Sequence, residues 1–91
     1  MQIEINGTEV TANGKSTMMR LMHVKLLEKF RDKYPAVIPE QELMELTGVV
    51  ARHTLTQHIS TLRKKLNELG GIEIVTHPKI GYALKYLPIA E

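Results

Sequence analysis

Apolar positions follow two rhythms along this chain, and each predicts a kind of element. Between Arg52 and Leu69, the residues Leu55, Ile59, Leu62, Leu66 and Leu69 recur at +4, +3, +4 and +3. At about 100° per residue they fall on one narrow stripe of a helix, and Gly70-Gly71 closes it. An earlier helix runs from about Arg20 to Lys33, where Met19, Met22, His23, Leu26, Leu27, Phe30 and Tyr34 keep an i, i+3, i+4 pattern. Pro35 ends it, because the residue before a proline disfavours the helical region. Pro39 opens a short helix, Glu40 to Leu46. Its missing N–H costs nothing in a first helical turn, and Glu40 and Glu42 favour the positive pole of the helix dipole. Leu43, Met44 and Leu46 are expected to face inward, and Gly48 is placed to end the helix in a left-handed conformation. Ala36-Val37-Ile38 forms an extended apolar link that either pairs as a strand or plugs the core.

The second rhythm is alternation, the mark of strands. Gln2 to Ile5, Thr8 to Thr11 and Ser16 to Met18 are short segments separated by Asn6-Gly7 and Asn13-Gly14. Asn-Gly is a strong hairpin signal, because both central residues of a type I′ turn need φ > 0. Ile72 to Thr76 and Tyr82 to Tyr86 repeat the pattern around the turn His77-Pro78-Lys79-Ile80-Gly81, and Pro88 stops the second strand. A short helix, a Gly turn, the link Val49-Val50-Ala51 and a long polar helix make the sequence form of a helix-turn-helix. The hairpin that follows would be a wing. The expected fold is α+β, a winged helix-turn-helix of one domain over residues 1–91. It has an N-terminal antiparallel sheet over 1–18, three helices over 20–69 and a wing hairpin over 72–86.

The outer face of the long helix changes the picture from fold to function. His53, Gln57, Ser60, Thr61 and Lys64 occupy its centre, Thr56 and Arg63 flank the apolar stripe on one side, and His58 and Lys65 on the other. No acid stands between Arg52 and Asn67. A short, polar, basic surface can approach a phosphate backbone and reach base edges. Net charge is only +2, but it is unevenly spread. Residues 1–51 hold six Lys/Arg against seven Asp/Glu, and residues 52–91 hold six against three. The basic excess lies with the long helix, as nucleic acid would require.

At these residues the chain resembles the winged-helix DNA-binding domains of OmpR/PhoB-type response regulators. That family's third-helix pattern is matched by His58-Ile59-Ser60-Thr61-Leu62-Arg63-Lys64-Lys65-Leu66. Its closing Thr-Val-Arg-Gly-x-Gly-Tyr is matched in part by Thr76-His77-Pro78-Lys79-Ile80-Gly81-Tyr82, and its first-helix signature by Leu26-Leu27-Glu28-Lys29-Phe30. The resemblance implies double-stranded DNA bound by the third helix in the major groove, with the wing nearby. It puts the family's phosphate-contacting Arg on His53, with Arg52 one residue earlier. It puts the base-reading positions on Gln57, Ser60, Thr61 and Arg63, and the wing Arg on Pro78, beside Lys79. The link between the second and third helices is shorter than the family's, where a longer loop is associated with polymerase contact. No receiver segment precedes the DNA-binding part in these residues, so control by phosphorylation has no visible seat in them.

The reading is therefore a small transcriptional regulator, binding DNA sequence-specifically through Arg52, His53, Thr54, Thr56, Gln57, Ser60, Thr61, Arg63, Lys64 and Lys79. Two copies on adjacent half-sites would extend so small a footprint. The alternative is a winged-helix protein-interaction module without DNA specificity of its own. An enzyme is not expected. There is no cysteine and no Gly-rich phosphate loop, and Ser16 and Ser60 lack a nucleophile-elbow context. His23 is expected to be a partly buried packing residue, and His53 and His58, five apart, do not match a metal-binding i, i+4 pair. No cofactor, metal, small-molecule ligand or membrane partner is expected. Without a signal-peptide pattern the expected location is cytoplasmic.

Overall fold

The computed structural model describes residues 3–87. Three strands come first: β1 (Glu4–Asn6), β2 (Glu9–Ala12) and β3 (Lys15–Met18). They form an antiparallel sheet in the order β1-β2-β3. Its two turns differ in kind. Ala12 pairs with Lys15 across Asn13-Gly14, whose φ values are 56° and 74°, the I′ pattern expected of Asn-Gly. In the first hairpin Asn6 pairs with Glu9, so the central residues are Gly7 and Thr8. Only Gly7, at φ 65°, is left-handed. That places the glycine first, as in a II′ turn, and leaves Asn6 in the strand.

Helix α1 spans Leu21–Lys33 and buries His23, Val24, Leu26, Leu27 and Phe30. Tyr34, expected on the same stripe, is exposed instead. It lies beyond the last helical turn and stacks edge-on against Tyr86, with ring centroids 4.7 Å apart. The apolar link does both things open to it. Ile38 is buried, and β4 (Ile38–Pro39) pairs with the later strand β6 (Gly81–Tyr86), Ile38 opposite Tyr82 and Pro39 opposite Gly81.

Helix α2 spans Glu40–Thr47 and stops at Gly48, whose φ is 73°. Leu43 is fully buried and Met44 packs against the core, but Leu46 is 38% exposed. A helix of two turns offers the core one row, and Leu46 is left at its edge. Helix α3 spans Arg52–Leu69 and buries Leu55, Ile59, Leu62, Leu66 and Leu69, the five residues of the stripe. Strand β5 (Ile72–His77) and strand β6 (Gly81–Tyr86) follow as a hairpin. With β4 they make a second sheet in the order β4-β6-β5.

The core is a single cluster. It joins Val10 of the first sheet, Leu26, Leu27 and Phe30 of α1, Leu43 of α2, the α3 stripe, and Ile72, Ile74 and Leu84 of the second sheet. Each large aliphatic side chain buried there contributes about 1.5–3 kcal/mol. The first sheet also grips the far end of α3. The Asn13 side-chain amide donates to the Gly70 carbonyl, and the Thr17 hydroxyl donates to Glu68 Oε2 at 2.7 Å.

Candidate nucleic-acid interface

Burial of the leucine stripe fixes which way α3 faces. His53, Gln57, Ser60, Thr61 and Lys64 all stand on the solvent side and are exposed, with Arg52 and Thr56 exposed beside them and Thr54 half-buried. The one late acid is withdrawn from this face, since Glu68 Oε2 accepts from Thr17 and lies 4.0 Å from Lys65 Nζ. What remains is cationic and hydrogen-bonding. Two of its hydroxyls already spend their protons on the helix. Thr56 Oγ1 donates to the Arg52 carbonyl and Thr61 Oγ1 to the Gln57 carbonyl, each at 3.2 Å. Outward they present lone pairs, which suit the amino groups of adenine or cytosine. Gln57 can offer both a donor and an acceptor, the pair that adenine presents in the major groove.

Arg63 is placed differently from the expectation that it reads bases. Its Nε donates to the Ile74 carbonyl at 3.0 Å, its Nη2 donates to Thr76 Oγ1, and its guanidinium carbon lies 5.9 Å from the centroid of the Tyr82 ring. The reason lies in the second sheet. β5 is an edge strand, so its outward carbonyls have no ladder partner. Arg63 sits on the α3 flank nearest that edge and satisfies one of them. It is a strut between the helix and the wing.

Arg52 also has an intramolecular partner. Its Nε lies 2.7 Å from Glu40 Oε1, with the Arg52 side chain 73% exposed and Glu40 only 21%. The contact is made by Nε, and most of the Arg52 side chain remains exposed. Lys79 comes to the same place from the wing. An open cleft of about 540 Å³ is lined by Pro39, Glu40, Gln41, Met44, Arg52, Lys79 and Ile80. The wing turn is closed by Ile80 N–H donating to the His77 carbonyl at 3.0 Å, and its tip is held to α2 by Glu40 N–H donating to the Ile80 carbonyl at 3.2 Å. The left-handed residue of this turn is Lys79, at φ 65°, rather than the glycine. Gly81 serves another purpose. A Cβ built on it would lie 1.9 Å from the Ile38 carbonyl oxygen, so glycine is what lets β4 and β6 approach.

The opposite flank of α3, where His58 and Lys65 lie in sequence, carries a contact that the sequence does not reveal. There His58 Nδ1 lies 3.2 Å from His23 Nε2 of α1, with ring centroids 5.3 Å apart and planes at 59°. His23 is 5% exposed and is the buried polar residue of the described chain, as its place on the α1 stripe implied. Burial holds its imidazole below the usual histidine range, and the His58 and Arg20 charges act in the same direction. A histidine within an apolar stripe and another at the edge of an exposed helix were the available signals. Their pairing required the α1–α3 packing. Among the described residues no group of three or more His, Asp or Glu side chains could hold a metal ion, and no helix is long and apolar enough to cross a membrane.

The comparisons with known proteins agree with this geometry. The C-terminal DNA-binding domain of NsrR, a lantibiotic response regulator, superposes with a TM-score of 0.78 at 20% identity, covering 89% of each chain. The DNA-binding domain of Escherichia coli CadC superposes with a TM-score of 0.75 at 31% identity, over 89% of this chain and 80% of that one. The DNA-binding domain of the response regulator AdeR, solved in complex with an intercistronic region, gives 0.79 at 26% identity over 94% and 95%. A search of curated proteins finds no match. The model of the family described as "Transcriptional regulatory protein, C terminal" matches residues 14–84. With that match over most of its length, and with the α3 face and wing arranged as above, this chain belongs to that family, the OmpR/PhoB-type winged-helix effector domains.

Proposed function

We infer that this protein binds double-stranded DNA sequence-specifically in the regulation of transcription, with α3 in the major groove and the β5–β6 wing beside it. One observation carries the reading: a helix face without acid, anchored by a buried stripe and flanked by a wing that brings Lys79 beside Arg52. A major groove about 12 Å wide admits such a helix. In this reading Gln57, Ser60 and Thr61 meet base edges, with His53, Thr54 and Thr56 along the same groove. Arg52, Lys64 and Lys79 meet phosphates, and Arg63 fixes the wing. The protein works as a binding domain rather than an enzyme, and does so in the cytosol, where DNA is. Two copies on adjacent half-sites would give the footprint that one short helix lacks.

The test is a titration against random-sequence duplex DNA across salt, followed by selection of the bound sequences. Three phosphate-facing cations give a slope of log K against log salt of about −3, at roughly −0.9 per phosphate. A slope of that size with an enriched motif supports the reading. Absence of binding at low salt would overturn it in favour of a protein-interaction module. The feature that favours such a module is Val50, 95% exposed in the turn between α2 and α3.

A further inference from the structure

We propose that Glu40 is a brake on DNA affinity: its carboxylate holds Arg52 and competes with a DNA phosphate for that guanidinium. The proposal rests on the DNA-binding reading and adds to it a residue outside both α3 and the wing. Glu40 opens α2, and two separate contacts tie it to the two parts of the interface. Its N–H donates to the carbonyl of Ile80 in the wing turn at 3.2 Å. Its side chain reaches the first residue of α3, with Oε1 2.7 Å from Arg52 Nε. The other ion pairs among the described residues are looser, at 3.7 to 4.0 Å. Glu42, two residues on, is turned to Lys29. Among the described residues Glu40 is the one acid that lines the cleft shared by Arg52 and Lys79.

The two partners are unequally free. The Arg52 side chain is 73% exposed and that of Glu40 21%. Arg52 can swing out to a phosphate, whereas Glu40 stays, pinned through its own backbone N–H. A phosphate that takes Arg52 leaves behind a carboxylate deprived of its partner at the mouth of the cleft. The exchange replaces one anion by another. The phosphate sheds a condensed cation when Arg52 neutralises it, and the abandoned carboxylate draws one back. Arg52 then adds little to affinity and little to the salt slope, although its charge would otherwise count in full. Among the described residues neither Lys64 nor Lys79 has a carboxylate partner, so both carry their full share. A contact to a base edge has no such competitor. Non-specific binding rests almost entirely on phosphates, so a brake on one phosphate contact eases release from sequences that α3 does not read.

The experiment compares the full chain with Glu40→Gln, which keeps the size and an acceptor for Arg52 but removes the charge. Binding to a random-sequence duplex is followed by fluorescence anisotropy between about 50 and 200 mM salt. Glu40→Gln should bind about three- to tenfold more tightly at the low end. Its slope of log K against log salt should be steeper by about 0.9, so its advantage over the parent shrinks about 3.5-fold across that range. The three-cation slope is then the value that Glu40→Gln reaches, and the parent falls short of it by up to about 0.9. In an Arg52→Gln background the same change should give less than about a twofold gain, because no guanidinium is left to release. The selected motif should be the same with and without Glu40. An exposed ion pair contributes little to stability, and circular dichroism of each variant checks that it is folded. Binding by Glu40→Gln that is no tighter than the parent's would overturn the proposal while leaving DNA binding intact. A gain undiminished in the Arg52→Gln background would overturn it too, since Glu40 would then act without Arg52. No binding by either protein at low salt would instead remove the DNA-binding reading, and the proposal with it.

Discussion

Replacing Arg63 by Ala separates a base-reading arginine from a structural one. The side chain makes two hydrogen bonds to β5 and lies over Tyr82 of β6. Hydrogen bonds to a charged group contribute about 1.5–3 kcal/mol where water is excluded. Both here are partly solvated, so about 1 kcal/mol for the bond to Ile74 and less for the one to Thr76 is the reasonable scale. The cation–π contact between half-buried Arg63 and buried Tyr82, at the long distance of 5.9 Å, adds about 0.5 kcal/mol. Loss of the strut also leaves the edge carbonyl of Ile74 to find water. The sum is about 1.5–2.5 kcal/mol of unfolding free energy. For a chain of this size that lowers the thermal midpoint by roughly 6–20 °C. Urea unfolding followed by far-ultraviolet circular dichroism measures the stability, and binding-site selection measures the motif. The expected result is a clear loss of stability with the selected base pairs unchanged, and weaker binding because the wing is less well held. A variant with stability within about 0.5 kcal/mol of the parent and one base-pair preference erased would refute the strut and restore Arg63 as a reader.

Three further outcomes are expected. Gly81→Ala places a methyl group 1.9 Å from the Ile38 carbonyl oxygen, and because backbone must move to admit it, the loss should reach the upper end of overpacking costs, about 2–4 kcal/mol in a urea melt; a near-neutral result would mean that β4 does not pair with β6. Gln57→Ala should change the selected motif, whereas Lys64→Ala should weaken all sequences alike and flatten the salt slope by about 0.9; identical motifs from both variants would count against Gln57 as a reader. Because burial depresses the folded-state pKa of His23, its neutral form is the one the fold favours. That contribution to stability is complete above the ordinary histidine value and is lost as pH falls through the lowered one. The urea midpoint of the parent should therefore drop on acidification, and drop less in His23→Leu, whose side chain does not titrate.

What the sequence by itself determined is whatever neighbours in the chain decide. The stripe Leu55–Leu69 identified α3, its face and its end, because helix periodicity is a property of residues three and four apart. Asn13-Gly14 declared a turn of left-handed residues and formed it, whereas the same pair at Asn6-Gly7 moved one residue along because the strand pairing Asn6 to Glu9 set the register. Basic residues without acids on one helix face pointed to DNA, because charge composition is readable without coordinates. The tertiary structure decided where the long side chains go. Arg63 turns to the wing because β5 is an edge strand with a free carbonyl, which depends on the order β4-β6-β5. Arg52 meets Glu40 because the turn at Gly48 folds α2 back beside the start of α3. Leu46 stays at the surface because two turns of helix show the core one row. His58 finds His23, 35 residues earlier, because α1 and α3 pack together. An arginine or histidine carries the same donors wherever it stands, and only the packed neighbours determine whether those donors serve the fold or remain free for a ligand.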